Sequence, residues 1–280
     1  MKKTIVFLVS VHISMLMYGQ QEIRLLVRGD DIGSTHASNL ACIDAYQKGI
    51  VRSVEIMVPC AWFEEAAVLL NQNTGLDVGI HLVLTSEWNG YKWRPLTHCP
   101  GITDEDGYFF PMVWASENYP ENRTLIHANW KLEEVEAELR AQIELALKKI
   151  PRISHLSSHM AWSKADPQLT ELYHKLQKEY NLELKPAADS MSSLGKYDKT
   201  GSLKRQISEF IKNLKMLTPG TWTFVEHPAY NQPEMQGIFH TGYENVGKDR
   251  DDVTRILISP AVKKVIAERN IILISYGDLK

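Results

Sequence analysis

The chain has 280 residues, 44% of them hydrophobic and 23% charged, with a formal net charge of -3. These are ordinary values for a soluble globular protein with a sizeable core. The lack of a global basic excess argues against a nucleic-acid or anionic-membrane partner, and no repeats or low-complexity tracts interrupt the chain.

The first residues stand apart. Lys2 and Lys3 precede an apolar stretch from Ile5 to Met17, and small Gly19 lies just before Gln20 and Gln21. This is the pattern of a secretory signal peptide cleaved near Gly19, and the apolar run falls short of the roughly 20 residues a spanning helix needs. Residues 1–20 are therefore expected to be a signal peptide. Residues 21–280 are expected to form a single domain, periplasmic or secreted, with no stable membrane insertion after cleavage. Cys42, Cys60 and Cys99 are widely spaced and odd in number. They define neither a zinc ribbon nor a disulfide framework and read as buried small hydrophobes.

From residue 22 two periodicities alternate. Extended apolar segments are expected at Ile23 to Arg28, Arg52 to Val58, Leu76 to Leu84, Ile153 to Leu156, Leu182 to Lys185, Thr221 to Val225 and Ile271 to Ser275. Between most of them lie helices: Thr35 to Lys48, ending at Gly49, and Trp62 to Asn71. Leu132 to Ile150 has apolar residues recurring at threes and fours and lysines in its last turn. Three more begin at Asp166–Pro167, at Ser202 and at Ser259–Pro260. Strand alternating with helix about seven times predicts an α/β fold, a TIM-like (β/α) barrel of about seven parallel strands, with an open doubly wound sheet as the competitor. Residues 85–123, rich in Trp, Tyr, Pro and Gly, break the rhythm and are expected to fold over the barrel mouth.

In such a barrel the site gathers at the C-terminal ends of the strands. The first strand ends in Asp30 and Asp31, and the third carries His81. The fourth runs into "SHLSSHMAW" with His155 and His159, and the sixth ends in Glu226 and His227. Each has a bland reading. A lone histidine such as His81 is commonly a satisfied core group, and an aspartate pair can cap the helix that follows. What favours a site is the recurrence of carboxylates and imidazoles at one barrel end. One carboxylate and two neutral imidazoles suit a divalent metal ion with open positions for water and substrate. Neighbours on a regular strand point to opposite sides, so one of the two aspartates is expected to ligate while the other stands off as a base.

"RLLVRGDDIGSTHASNLACIDAYQKGIVRSVEIMVP", "LDVGIHLVLT", "ISHLSSH", "VEHPA" and "IILISYGDL" together resemble the successive motifs of the YdjC-like carbohydrate deacetylases, a family related to the polysaccharide deacetylases that includes chitooligosaccharide deacetylases. The resemblance spans nearly all of the chain after residue 22. It implies a barrel of about seven strands and a metal held by Asp31, His81 and His159, with Mg2+ or Zn2+ as the ion. It implies Asp30 as general base, and His227 as an acid or a holder of the acetyl group. The reaction implied is hydrolysis of an N-acetyl group from an amino sugar or oligosaccharide, releasing acetate. The chain departs from the family where Ile32 replaces a common phenylalanine, and where Ser157 stands in place of an aspartate two residues before the second metal histidine. Ala161 and Ser163 stand where the family has further histidines.

His155, Arg250, Trp88, Trp93 and Tyr243 are candidate substrate contacts, the aromatic residues through stacking on sugar rings. Trp residues in a long loop equally serve as its core, and the charged stretch from Gly247 to Asp252 equally reads as a solvated loop. Two other functions fit the same residues: a metal-dependent hydrolase of an ester or phosphate bond, for which Arg28, Arg94 and Arg250 are candidate anion contacts, and a carbohydrate-binding barrel without turnover. The separate base Asp30 argues against the last. Oligomeric state is left open, a homodimer being one option.

Overall fold

The computed structural model describes residues 22–188 and 190–279; the expected signal peptide lies outside them. The strands are β1 (Ile23–Ile32), β2 (Ser53–Ile56), β3 (Asp77–Leu82), β4 (His155–Ser158), β5 (Ser192–Ser193), β6 (Gly220–Glu226) and β7 (Ile272–Ile274). All pairings are parallel, in the order β4-β3-β2-β1-β6-β5, with β7 also on β1. The helices are α1 (His36–Gln47), α2 (Phe63–Gln72), α3 (Leu132–Lys149), α4 (Pro167–Glu179), α5 (Leu203–Met216), α6 (Val246–Leu257) and α7 (Pro260–Glu268). Among the described residues no helix is long and apolar enough to cross a membrane.

β1 is the hub. β6 takes one of its edges along residues 23–29, while β7 (at 24–26) and β2 (at 28–32) share the other. Leu25 and Val27 join the main core cluster, while Leu26 packs with Ile274 and Tyr276 in a smaller one. A strand buried on both faces is what a helix-covered parallel sheet requires. The sheet curls into a half-barrel with β1 at its centre and leaves β4 and β5 unpaired with each other among the described residues. Near that gap lies the segment expected as a strand at Leu182 to Lys185. It forms no ladder there: Leu156 N–H donates to Leu182 O (3.1 Å), Glu183 and Lys185 are exposed, and the chain turns again at Lys185 to Ala188.

Side-chain caps mark the starts of three of these seven α-helices. Thr35 caps α1 by accepting from Ser38 N–H, Asp166 caps α4 ahead of Pro167, and Ser202 caps α5. In α3, Val135, Leu139, Ile143 and Ala146 form the buried stripe. The stretch from Gly247 to Asp252, read as either part of the rim or a solvated loop, is the first part of α6; Arg250 and Asp252 are buried, and Asp249 and Arg250 line the cavity. The three cysteines are free and buried.

The long segment after β3 is held by two polar side chains buried on α3. Glu138 accepts from Leu96 N–H (3.1 Å), Thr97 N–H (2.8 Å) and the Thr97 hydroxyl (2.8 Å), and Gln142 bonds both backbone groups of Val83. Phe109 and Trp93 are buried and join the main core cluster, whereas Trp88 lines the cavity and Trp114 is exposed.

Inside the half-barrel, register brings Glu55 of β2 beside Gly79 of β3, and Gly79 beside His155 of β4. A Cβ at Gly79 would fall on the Glu55 carboxylate and the His155 ring. Gly79→Ala is therefore expected to lose about 1–3 kcal/mol of stability by overpacking, measured as a lower urea midpoint; an unchanged midpoint would mean the interior can relax around the methyl.

Candidate metal centre

The strand alternation expected for Asp30 and Asp31 is broken. Gly29 pairs with Val54 and Ile32 with Ile56, so β1 carries one extra residue, and Asp31 sits at φ +70°. A bulge of this kind re-aims a side chain, and aspartate tolerates the left-handed region better than most residues. Both carboxylates consequently line one cavity, with His81, His159, His227 and Arg250. Gly33, at φ +97° and with no room for a Cβ beneath Met57 O, then turns the chain toward α1.

The two aspartates are clamped differently. Arg28 Nη2 donates to Asp30 Oδ2 (2.8 Å), and its Nε lies 2.7 Å from Oδ1. Arg250 Nη2 donates to Asp31 Oδ2 (2.8 Å), which leaves Asp31 Oδ1 buried without a hydrogen-bond partner. That oxygen lies 3.8 Å from His81 Nε2 and 3.6 Å from His159 Nδ1. One ligand atom from each of the three residues falls within 4.8 Å of the others, and all three residues are buried. The donor set is one carboxylate oxygen and two imidazole nitrogens around an orphaned oxygen, which suits a divalent cation. Asp30 Oδ2 stands 3.9 Å from His81 Nε2, adjacent to the group without belonging to it.

Each histidine is held from behind. His159 Nε2 meets Glu87 Oε2 at 3.0 Å, and His81 Nδ1 meets Ser157 Oγ at 2.7 Å. The Ser157 hydroxyl in turn donates to Glu55 Oε2 (2.5 Å), and His155 Nε2 lies 2.6 Å from Glu55 Oε1. His159 sits where β4 gives way to a turn with two left-handed residues, Met160 and Ala161. His155 lies four residues earlier on the strand, outside the cavity lining, with Tyr276 against its ring at 4.3 Å.

Burial opposes ionisation of Asp31, but the Arg250 guanidinium, followed by His227, His159 and His81, outweighs it and holds the carboxyl well below the usual range. Burial pushes His81 down to about 4 despite Asp30, so its imidazole is neutral at pH 7. For His159, burial is overcome by Glu87, and the pKa rises. Burial of Glu55 is outweighed by His155 and then Arg28, which hold it at about 2.

At the mouth, Trp88 packs its ring against His240 (5.5 Å) and beneath the Arg250 guanidinium (5.3 Å), with Tyr243 at 6.4 Å. Trp93 stands behind His159 at 6.2 Å and donates to Thr85 O, away from the cavity lining. His227 is partly exposed, its Nδ1 3.9 Å from Glu226 Oε2, and Glu226 is anchored by Lys199 at 2.6 Å. Burial of Glu226 is outweighed by His227 and Lys199, which lower its pKa. Arg94 lies over the Tyr108 ring in the long segment, outside the cavity. Glu55, Glu87, Lys199 and His240 escaped the sequence reading. Only Glu55 carried a signal, a charge inside a strand of a sheet expected to be buried on both faces.

The family model described as YdjC-like protein matches residues 24–268. A carbohydrate deacetylase of Thermus thermophilus is 32% identical over 236 residues, covering 76% of this chain and 80% of that protein. Carbohydrate deacetylase 1 of Listeria innocua is 27% identical over 265 residues, covering 91% of this chain and 100% of its own. Among solved structures, an Enterococcus faecalis protein provisionally named for cellobiose-phosphate cleavage superposes with a TM-score of 0.69 at 25% identity, over 91% of this chain and 98% of that one.

The depressed Glu55 pKa has a consequence for folding. A carboxyl lowered from 4.5 to about 2 contributes stability that is present above the unfolded value and lost as pH falls from there toward the folded one. Unfolding free energy is expected to drop between pH about 4.5 and 2, and the drop should be shallower in Glu55→Gln. Equal slopes in the two proteins would count against the buried, ionised Glu55.

Proposed function

Because the chain belongs to the YdjC-like family, we propose that it is a carbohydrate deacetylase that hydrolyses an N-acetyl group of an amino sugar or chitooligosaccharide-type glycan and releases acetate. The observation that carries this reading is the buried Asp31, His81 and His159 group around an oxygen with no other partner. These three residues would hold a divalent ion, Mg2+ or Zn2+, which when bound polarises the amide carbonyl and increases the acidity of water.

The remaining work falls to the chain's own groups. Arg250 holds Asp31 Oδ2, so Oδ1 alone is free to bind. Arg28 holds Asp30 in the same cavity, where its carboxylate can take a proton from water as the water oxygen bonds to the carbonyl carbon. His227, backed by Glu226, gives a proton to the amine nitrogen as the C–N bond breaks, and the proton held by Asp30 restores the balance. Glu87 keeps the His159 ring in place, and such partners of metal-binding histidines are worth about 10–100-fold in affinity or activity.

The cations lining the cavity bear on the substrate. Arg28 is paired with Asp30, Arg250 with Asp31 and Lys199 with Glu226, which leaves none of the three free for a phosphate and favours a neutral glycan over a phosphate ester. We place the reaction outside the cytoplasm, on the charged and apolar pattern of the first twenty residues.

Acetate release should be assayed on a panel of N-acetylated mono- and oligosaccharides, with and without a phosphate, using metal-stripped protein before and after adding Mg2+, Zn2+, Mn2+ or Co2+. Release that requires a metal and is greatest on unphosphorylated substrates is expected. Its absence with a metal bound would move the assignment to another bond or to binding alone. Asp30→Asn is expected to keep zinc affinity within a few-fold and to lose on the order of 100-fold or more in turnover, whereas His81→Ala and His159→Ala should lose zinc itself. Zinc loss in Asp30→Asn equal to that in the histidine variants would reverse the roles of the two aspartates.

A further inference from the structure

The Ser157 hydroxyl has a single hydrogen and lies between a carboxylate and an imidazole. Its oxygen is 2.5 Å from Glu55 Oε2 and 2.7 Å from His81 Nδ1. An ionised carboxylate only accepts, and Glu55 Oε2 at 2.5 Å is both closer and more strongly accepting than the other acceptor within reach, Ile80 O at 3.4 Å, so the hydroxyl hydrogen goes to Glu55. The serine oxygen can then only accept from the ring, and Nδ1 must carry the ring hydrogen. With Nδ1 protonated, the lone pair of the neutral imidazole sits on Nε2, the atom 3.8 Å from Asp31 Oδ1.

We infer that Glu55, acting through the Ser157 hydroxyl, is the positioning residue that fixes the His81 tautomer and ring orientation and so prepares Nε2 to bind a metal ion. This rests on the metal-site reading above. Glu55 belongs to β2 and His81 to β3, yet the carboxylate reaches Ser157 on β4 across the intervening strand. It can do so because its neighbour on β3 is Gly79, while Ser157 is the register partner of His81. A side chain at position 79 would block that path. Glu55 is fully buried, and its other oxygen is occupied by His155 at 2.6 Å, with Arg28 Nη1 3.8 Å away. The two histidines are thereby matched: Glu87 contacts His159 directly, and Glu55 contacts His81 through one hydroxyl.

A purely structural role for Glu55, as counter-charge to His155 and Arg28, would leave the His81 tautomer unmoved. The test uses full-length metal-stripped protein labelled with 15N in its histidines, the His81 ring resonances being assigned by their loss in His81→Ala. Wild type is expected to show the Nδ1–H tautomer of His81, and Ser157→Ala and Glu55→Gln a mixture of the two tautomers. Zinc affinity by equilibrium dialysis should fall about 10–100-fold in each, with the double variant no weaker than the poorer single one, as for two links of one chain. Ser157→Ala leaves the Glu55–His155 contact intact, so it decides the matter even where Glu55→Gln does not fold. An Nε2–H tautomer in wild type, or an unchanged tautomer in Ser157→Ala, would overturn the relay whether or not zinc binds. Wild type that shows the Nδ1–H tautomer but binds no zinc through Asp31 and His159 would uphold the relay and remove the metal reading alone.

Discussion

The constraint on which the rest of the structure depends is the burial of four carboxylates beneath one barrel mouth: Asp30, Asp31, Glu55 and Glu87, each at most 5% exposed. An unpaired ion in that position would cost several kcal/mol, so each must find a cation, an imidazole or a hydroxyl without leaving the cavity. Arg28 answers Asp30 and Arg250 answers Asp31, while His155 and Ser157 answer Glu55 and His159 answers Glu87. The fold supplies these partners from different elements: Arg28 from β1 itself, Arg250 from α6, His155 and Ser157 from β4, and His159 from the turn after it. The site is therefore coupled to the packing of α6 against the sheet as much as to the strands.

Against this demand for pairing, Asp31 Oδ1 is left with neither a hydrogen bond nor a close cation: Asp30 Oδ1 also lacks a hydrogen bond but has Arg28 Nε at 2.7 Å, whereas the nearest imidazole nitrogen stands 3.6 Å from Asp31 Oδ1. Buried polar atoms left unsatisfied are rare in native proteins and point to strain, function or an unseen partner. The left-handed backbone at Asp31 is the kind of local cost that persists when a site over-determines it. Strain and orphaned oxygen fall on the same residue, and the same bulge produces both by bringing a second carboxylate to the cavity side of β1.

What was legible in the sequence divides along physical lines. Strand ends, marked by polar residues after apolar runs, drew attention to Asp30, Asp31, His81, His155, His159, Glu226 and His227, and the family resemblance picked Asp31, His81 and His159 from among them. The bulge could not be read, because alternation assumes a regular strand and nothing in "VRGDDIGS" announces an extra residue. Glu55 was missed because its meaning lies in Gly79, a residue on another strand whose contribution is the space it leaves. Arg250 was read as a substrate or anion contact, but its helix was missed because six charged or small residues in a row carry little apolar signal, although α6 buries Val246 before them and Val253 and Leu257 after them. The segment at Leu182 failed as a strand for a different reason: its alternation of leucine with charge is strand-like, but among the described residues a single hydrogen bond joins it to β4.

The proposed division of two tasks between adjacent aspartates needs something to keep them distinct, and the two different arginine partners can do that. A carboxylate whose Oδ2 is committed to Arg250 has one oxygen left, which fits a monodentate ligand and disfavours a bidentate one. A carboxylate with both oxygens against Arg28 is fixed in orientation and still has lone pairs able to accept a proton. Exchange the two clamps and the roles would exchange with them, since both side chains start from the same bulge and face the same His81. The strand places two acids at one mouth, and under the proposed roles the arginine each one meets leaves Asp31 Oδ1 to the metal and Asp30 to the proton.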